Sequence, residues 1–292
     1  MKKKKMIQNI VSNKVVLVLI IIVAMVLIIS LFNFIVSIHP PRFYDDATPD
    51  DYGMDYRRIS FTTDDGLEIR GWLIDSKKAN GTVIIGHGYP FDKGNILHVA
   101  KFLYPDYNLL FYDHRYFGES DGRITTVGYK EPLDVESAVR AVRKKYGENP
   151  VALYGFSLSA SAMLMEDEKV DAIVADSPYA SLDKMVRQSY RIFGPLKFPF
   201  VFTTNFLSVI FFGKTPGSIS SAKAVEKSDI PILVIHGEKD SQISVENSRI
   251  LKKTNPNIEL WIVENADHGQ AYSLKREEYE RKIKDFLRKN MK

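Results

Sequence analysis

The sequence predicts an α/β fold, with a mostly parallel central sheet flanked by helices and carried behind one apolar N-terminal helix. Three observations predict it. Short, nearly all-apolar runs recur at 82–86, 109–112, 151–154, 172–175, 232–235 and 260–263, as strands covered on both faces require. Helical patterns alternate with these runs, which is the signature of parallel crossovers. Ahead of them, Val15–Ile38 form a stretch of 24 residues without a charge.

That stretch spans about 36 Å as a helix, enough for a hydrocarbon core of about 30 Å. It is long for the apolar h-region of a signal peptide, and no clear A-x-A cleavage site follows it. It reads as a signal-anchor, a transmembrane helix at 15–38 behind a basic tail at 1–14. Lys2, Lys3, Lys4, Lys5 and Lys14 precede the span, and Asp45, Asp46, Asp50 and Asp51 follow it. The positive-inside rule then places the N-terminus in the cytoplasm and the body outside, as a single-pass cell-membrane protein. Pro40, Pro41, Pro49 and Gly53 make 39–57 a juxtamembrane stalk.

The soluble domain is expected at 58–292. Ile59–Thr62 and Leu67–Ile74 alternate with period two around Asp64-Asp65-Gly66, a hairpin pattern. A helix is expected over 95–105 and another over Glu131–Tyr146, where Val135, Ala138, Val139, Val142 and Tyr146 share one face. A helix follows the strand at 151–154 through about Glu166, and others lie near 243–253 and 274–289. Residues 180–225 break the alternation with a density of aromatics, among them Phe198, Phe202 and Phe206. They read as an inserted helical cap whose phenylalanines wall an apolar pocket.

The body gives no footprint for nucleic acid. Setting the five tail lysines aside, the 40 basic residues fall to 35 against 36 acidic ones. With no cysteine, disulfides and thiolate chemistry are excluded. The sequence holds no H-E-x-x-H and no clustered carboxylate ligands, and Gly86-x-Gly88 runs into Tyr-Pro rather than a glycine-rich helix start. No metal and no cofactor are therefore expected.

The chemistry centres on Val151–Ser159. A strand ends in Gly155-Phe156-Ser157-Leu158-Ser159, and small residues at minus two and plus two let it turn sharply into a helix. Ser159 stands where glycine is commoner. A serine nucleophile needs a base and an acid that orients the base. His268 follows the strand at 260–263, and Asp240 follows that at 232–235, so both belong at the sheet edge that carries Ser157. Of six histidines, only His268 lies after both the serine and an acid-bearing loop. Asp176, at the end of the strand 172–175, is the competing acid. The backbone N–H groups of Leu158 and Tyr89 are the expected oxyanion donors, since Pro90 has none to give.

With these motifs, residues 58–290 resemble the α/β-hydrolase superfamily, in particular its serine aminopeptidase-like (S33-type) and BEM46-like membrane-associated hydrolases. The resemblance rests on the His87-Gly88 loop, Tyr112–Ser120, Gly155–Ser159, His236–Asp240 and Asp267-His268-Gly269. It implies an α/β-hydrolase fold with a small cap, the triad Ser157, Asp240 and His268, and an oxyanion hole at Tyr89 and Leu158. It also implies that Asp113 braces the site instead of acting as its acid. The expected activity is that of a serine hydrolase cleaving acyl or lipid-like esters through an acyl-enzyme. An aminopeptidase, amidase or thioesterase with the same triad is the alternative, and a non-catalytic binding protein is a third reading.

Overall fold

The computed structural model describes the backbone of residues 2–292 and the side chains of residues 13–292. Of the basic tail expected at 1–14, the side chains of residues 1–12, Lys2–Lys5 among them, lie outside the described residues.

Helix α1 runs over Lys2–Ile38. The chain then follows the domain surface to β1 (Arg57–Thr62) and β2 (Glu68–Ile74), which pair antiparallel as the hairpin. After β3 (Thr82–Gly86) come α2 (Lys93–Ala100), β4 (Asn108–Tyr112), α3 (Glu131–Tyr146), β5 (Val151–Phe156), α4 (Leu158–Met163) and β6 (Ala172–Asp176). The segment between β6 and β7 holds α5 (Leu182–Ser189), α6 (Lys197–Phe212) and α7 (Ser221–Val225). The chain ends with β7 (Ile232–Gly237), α8 (Glu246–Thr254), β8 (Glu259–Val263), α9 (Ala271–Leu274) and α10 (Arg276–Asn290).

The eight strands form one sheet in the order β1-β2-β4-β3-β5-β6-β7-β8. Every pair from β4 through β8 is parallel, and β1 and β2 are antiparallel. Side chains alternate across each strand, so each run feeds two cores. Val83, Ile85, Phe111, Tyr154 and Val174 pack under α2 and α10. Ile84, Leu110, Leu153, Ile173 and Val234 pack under α3, α4 and α8. Strand β5, which leads into Ser157, thus lies inside the sheet, buried on both faces.

Two helices differ from expectation. α2 starts earlier than 95 because the Asp92 carboxylate accepts the N–H groups of Gly94 and Asn95. It gives way to a 3-10 turn at Lys101–Leu103, because Pro105 disfavours helix at the residue before it. α4 stops at Met163 rather than near Glu166, since Glu166, Asp167 and Glu168 would load a helix C-terminus with negative charge. The segment 39–57 packs on the body: the Tyr116 hydroxyl donates to the Pro40 carbonyl at 2.7 Å, and Tyr56 meets Trp72 edge to face.

Candidate active site

Ser157 links β5 to α4 with φ +54° and ψ −107°, a conformation costly for any side chain and held by its surroundings. Strand and helix close up tightly there. A Cβ on Gly155 would stand 2.6 Å from the Ala160 nitrogen, which leaves hydrogen as the only fit. The serine at plus two is accommodated because Gly86 faces it; a Cβ on Gly86 would meet the Ser159 hydroxyl at 2.5 Å. Ser159 is fully buried, donates to the His87 carbonyl and lies 2.7 Å from His114 Nε2. It ties the elbow to the neighbouring loops.

The loop after β8 brings His268 Nε2 to 3.0 Å from Ser157 Oγ. His268 Nδ1 lies 2.7 Å from Asp240 Oδ2, in the loop after β7. Nδ1–H therefore donates to the carboxylate, and Nε2 is left to accept from the serine hydroxyl. Burial pushes the Asp240 carboxyl up, but hydrogen bonds from His236 and His268 outweigh it and hold the group well below the usual carboxylate range. Its other oxygen accepts the N–H groups of Gln242 and Ile243 at 2.9 and 2.7 Å.

Asp176 faces elsewhere. Its carboxylate accepts the Tyr279 and Ser177 hydroxyls at 2.7 and 2.9 Å, and its carbonyl accepts the Ser157 N–H at 2.8 Å. Burial raises its pKa. His87 is neutral: full burial and the nearby His114 push it down to about 3. It donates from Nδ1 to the Gly88 carbonyl at 2.9 Å and accepts the His114 N–H at Nε2 at 3.0 Å.

Tyr89 and Leu158 line the cavity onto which Ser157 opens. Leu158 is the first residue of α4, so its N–H has no carbonyl one turn earlier in the helix to bond. Asp113 accepts the Lys93 N–H and the Glu119 N–H at 2.8 and 2.9 Å, and the Lys93 ammonium at 2.6 Å. The carboxylate thus joins the loop after β3 to the loop after β4.

The roles of three residues of the site left no sign in the sequence. His236 stands behind the acid, with Nε2 3.3 Å from Asp240 Oδ2 and donating to the Ile243 carbonyl at 2.7 Å. Asp267 clips two loops by accepting the N–H groups of His268 and Ser241, each at 2.7 Å. Lys93, in the first turn of α2, is 3% exposed. Its neighbour Asp92 is a visible helix cap, but a lysine there reads as a surface residue until the fold places Asp113 beside it.

The cavity has a volume of about 380 Å³. Its walls include Tyr89, Leu182, Met185, Tyr190, Phe212 and, from α1, Phe34 and Ile38. Phe198, Phe202 and Phe206 do not line it; they are 56%, 74% and 59% exposed. The helical period decides this. Phe200, Thr204 and Ser208 occupy the inner face of α6, which puts 198, 202 and 206 on the outer one.

Comparison with known proteins agrees with this geometry. The family described as serine aminopeptidase, S33, matches residues 77–210, and the prolyl oligopeptidase family matches residues 154–292. The uncharacterized protein YqkD of Bacillus subtilis is 28% identical over 235 residues, 76% of each chain. Protein bem46 of Schizosaccharomyces pombe is 21% identical over 206 residues, 66% of this chain and 63% of its own. The solved esterase Pf2001 of Pyrococcus furiosus superposes with a TM-score of 0.71 at 30% identity, over 87% of this chain and 100% of that one. The chain belongs to the α/β-hydrolase superfamily. Both family matches include the elbow of this hydrolase, and its serine-hydrolase chemistry follows from that membership together with the Ser157–His268–Asp240 geometry.

Proposed function

We propose that this hydrolase cleaves carboxylic esters with apolar acyl groups, with Ser157 as nucleophile, His268 as base and Asp240 as the acid that orients it. The observation that carries the reading is the unbroken Ser157–His268–Asp240 chain, at 3.0 and 2.7 Å, opening on a largely apolar cavity. Ser157 Oγ attacks the ester carbonyl while its proton passes to His268 Nε2. The oxyanion is held by the N–H groups of Tyr89 and Leu158. The intermediate collapses, the C–O bond to the alcohol breaks, and the alcohol leaves with the proton from Nε2. Water then attacks the acyl-enzyme, gives a proton to Nε2, and the acid departs as Ser157 regains its hydrogen. The likeness to the Pyrococcus furiosus esterase supports an ester substrate.

An aminopeptidase requires a carboxylate to hold the substrate amine. Among the described residues that line the cavity none is a carboxylate, and Asp183 of the cap pairs with Arg187 at 3.0 Å. A fluorophosphonate probe is expected to label the chain and not its Ser157→Ala form. p-Nitrophenyl esters are expected to turn over faster than aminoacyl amides; faster amide turnover would transfer the assignment to the peptidase reading.

The same reading places α1 across the membrane with the catalytic domain outside. Its support is the lysine cluster before the apolar span and a helix over Asn13–Ile38 whose most apolar 18-residue window has a mean hydropathy of 3.6. Protease added to cells freed of outer layers is expected to digest the domain. A domain protected until the membrane is opened would reverse the orientation.

A further inference from the structure

α1 does more than precede the domain. From Val26 on, every fourth residue of α1 is covered: Val26 partly, then Ser30, Phe34 and Ile38 fully. The partner is the cap. Phe34 lies 5.1 Å from Phe211 and 5.9 Å from Phe212 between ring centroids, and Val26 packs against the cluster of Tyr190, Phe200 and Val201. α6 therefore runs beside the outer half of α1 for about 18 Å, at 1.5 Å per residue.

The other face of α6 is apolar and uncovered. Phe198, Phe202, Phe206 and Ile210 form a stripe 56% to 74% exposed. The turn that leads into the helix adds Ile192 at 85% and Leu196 at 74%. A continuous apolar face of this kind marks a contact surface. The occupant is set by continuity, because the face lies alongside a helix long and apolar enough to cross a bilayer. The segment Arg191–Phe212 meets the same length test. It does not span, because β6 before it and β7 after it are neighbouring parallel strands of one sheet. An interfacial position suits its uncovered apolar face, and Arg191 and Lys197 are long enough to carry their charges up to headgroups.

Asn33, Val36 and Ser37 of α1 line the cavity that contains Ser157, together with Ser208 and Phe212 of α6. We propose that α1 and α6 form a lateral portal, with the outward face of α6 immersed in the outer leaflet, through which a bilayer-resident acyl ester passes directly to Ser157. The proposal rests on the ester-hydrolase and spanning readings above. It narrows the substrate to esters whose acyl chain is held in the membrane.

The test uses the full chain in phosphatidylcholine–phosphatidylglycerol vesicles. Because the sequence has no cysteine, a nitroxide on Phe202→Cys reports from one site. Its relaxation is expected to respond to oxygen, which concentrates in hydrocarbon, and to be shielded from a water-soluble nickel complex. A nitroxide on Asn257→Cys, an exposed position ahead of β8 at the far edge of the sheet, is expected to show the opposite. Equal nickel access at both positions overturns the immersion. The activity arm uses Phe202→Asp/Phe206→Asp against two probes, a long-chain umbelliferyl ester embedded in the vesicles and water-soluble p-nitrophenyl butyrate. Hydrolysis of the embedded ester is expected to fall about tenfold or more relative to the soluble one, since carboxylates resist immersion. Equal retention or equal loss of both activities overturns the portal. If the unsubstituted chain cleaves neither ester, the ester reading fails, and the nitroxide pair still decides the bilayer contact.

Discussion

Ser157 and Ser159 sit two residues apart and have opposite tasks. Ser157 is held at positive φ with its hydroxyl toward His268, whereas Ser159 is sealed beneath it between His87 and His114. A similar division separates the two acids. Asp240→Asn is expected to lower kcat by about four orders of magnitude with the fold intact, because His268 loses the partner that fixes its tautomer. Asp176→Asn keeps an acceptor oxygen for one of the two hydroxyls, Tyr279 or Ser177, leaves the His268–Asp240 pair untouched, and is expected to cost far less. Parallel kinetics of the two variants checks this, and the reverse ranking would move the acid to Asp176. Glu166 offers a pH-dependent counterpart outside the site. Burial, with Glu136, Glu168 and Asp167 nearby, raises its pKa to about 8. The unfolded chain releases this proton at ordinary carboxylate pH, so between about pH 4.5 and 8 the folded state binds more protons and stability declines as pH rises. Glu166→Gln is expected to raise Tm by a few degrees at pH 9 and to lose that advantage by pH 5. Thermal unfolding at the two pH values measures it.

At the scale of elements, the loops after β3, β4, β5, β7 and β8 converge because their strands are parallel and end at one edge. The cap is read differently from its sequence. Its density of phenylalanines was visible, but which of them face inward depends on the rotation of α6 against α1 and the body. Phe212, stacked on Tyr129 at 4.4 Å and in contact with Phe34, is the phenylalanine of α6 that lines the cavity. In the unsubstituted enzyme, each methylene from acetate to octanoate is expected to raise kcat/KM by up to about fourfold until the cavity fills, from about 0.8 kcal/mol per buried methylene. Phe212→Ala is expected to flatten that rise and Phe202→Ala to leave it. A p-nitrophenyl ester series below micelle-forming concentrations separates them; a rise that survives Phe212→Ala would place the acyl chain elsewhere.

At the scale of the molecule, α1 is part of the catalytic domain's surface and part of its pocket. Removing residues 1–36 keeps Ile38, whose carbonyl accepts the Thr125 N–H at 3.1 Å, but takes Phe34 and Val36 from the cavity wall. Such a chain is expected to retain fluorophosphonate labelling of Ser157 while losing most of its preference for octanoate over butyrate. An unchanged preference in the shortened chain would show that α1 does not bound the acyl site.

The sequence by itself determined the parallel sheet, the elbow and the order in which nucleophile, acid and base follow one another. Those depend on local signals: apolar runs of strand length, small residues flanking Ser157, and loops that must open at the strands' carboxyl ends. Tertiary structure alone decided what Lys93, His236 and Asp267 touch, because each contact joins loops or elements whose meeting leaves no periodicity. Lys93 and Asp113 are 20 residues apart in the chain, and their ammonium and carboxylate meet at 2.6 Å only once β3 and β4 pair. It also decided which face of α6 is covered. Phenylalanines fall on both faces of α6, so their density in the sequence does not orient it; the stripe Val26, Ser30, Phe34 and Ile38 of α1 does, by covering one side and leaving the other exposed.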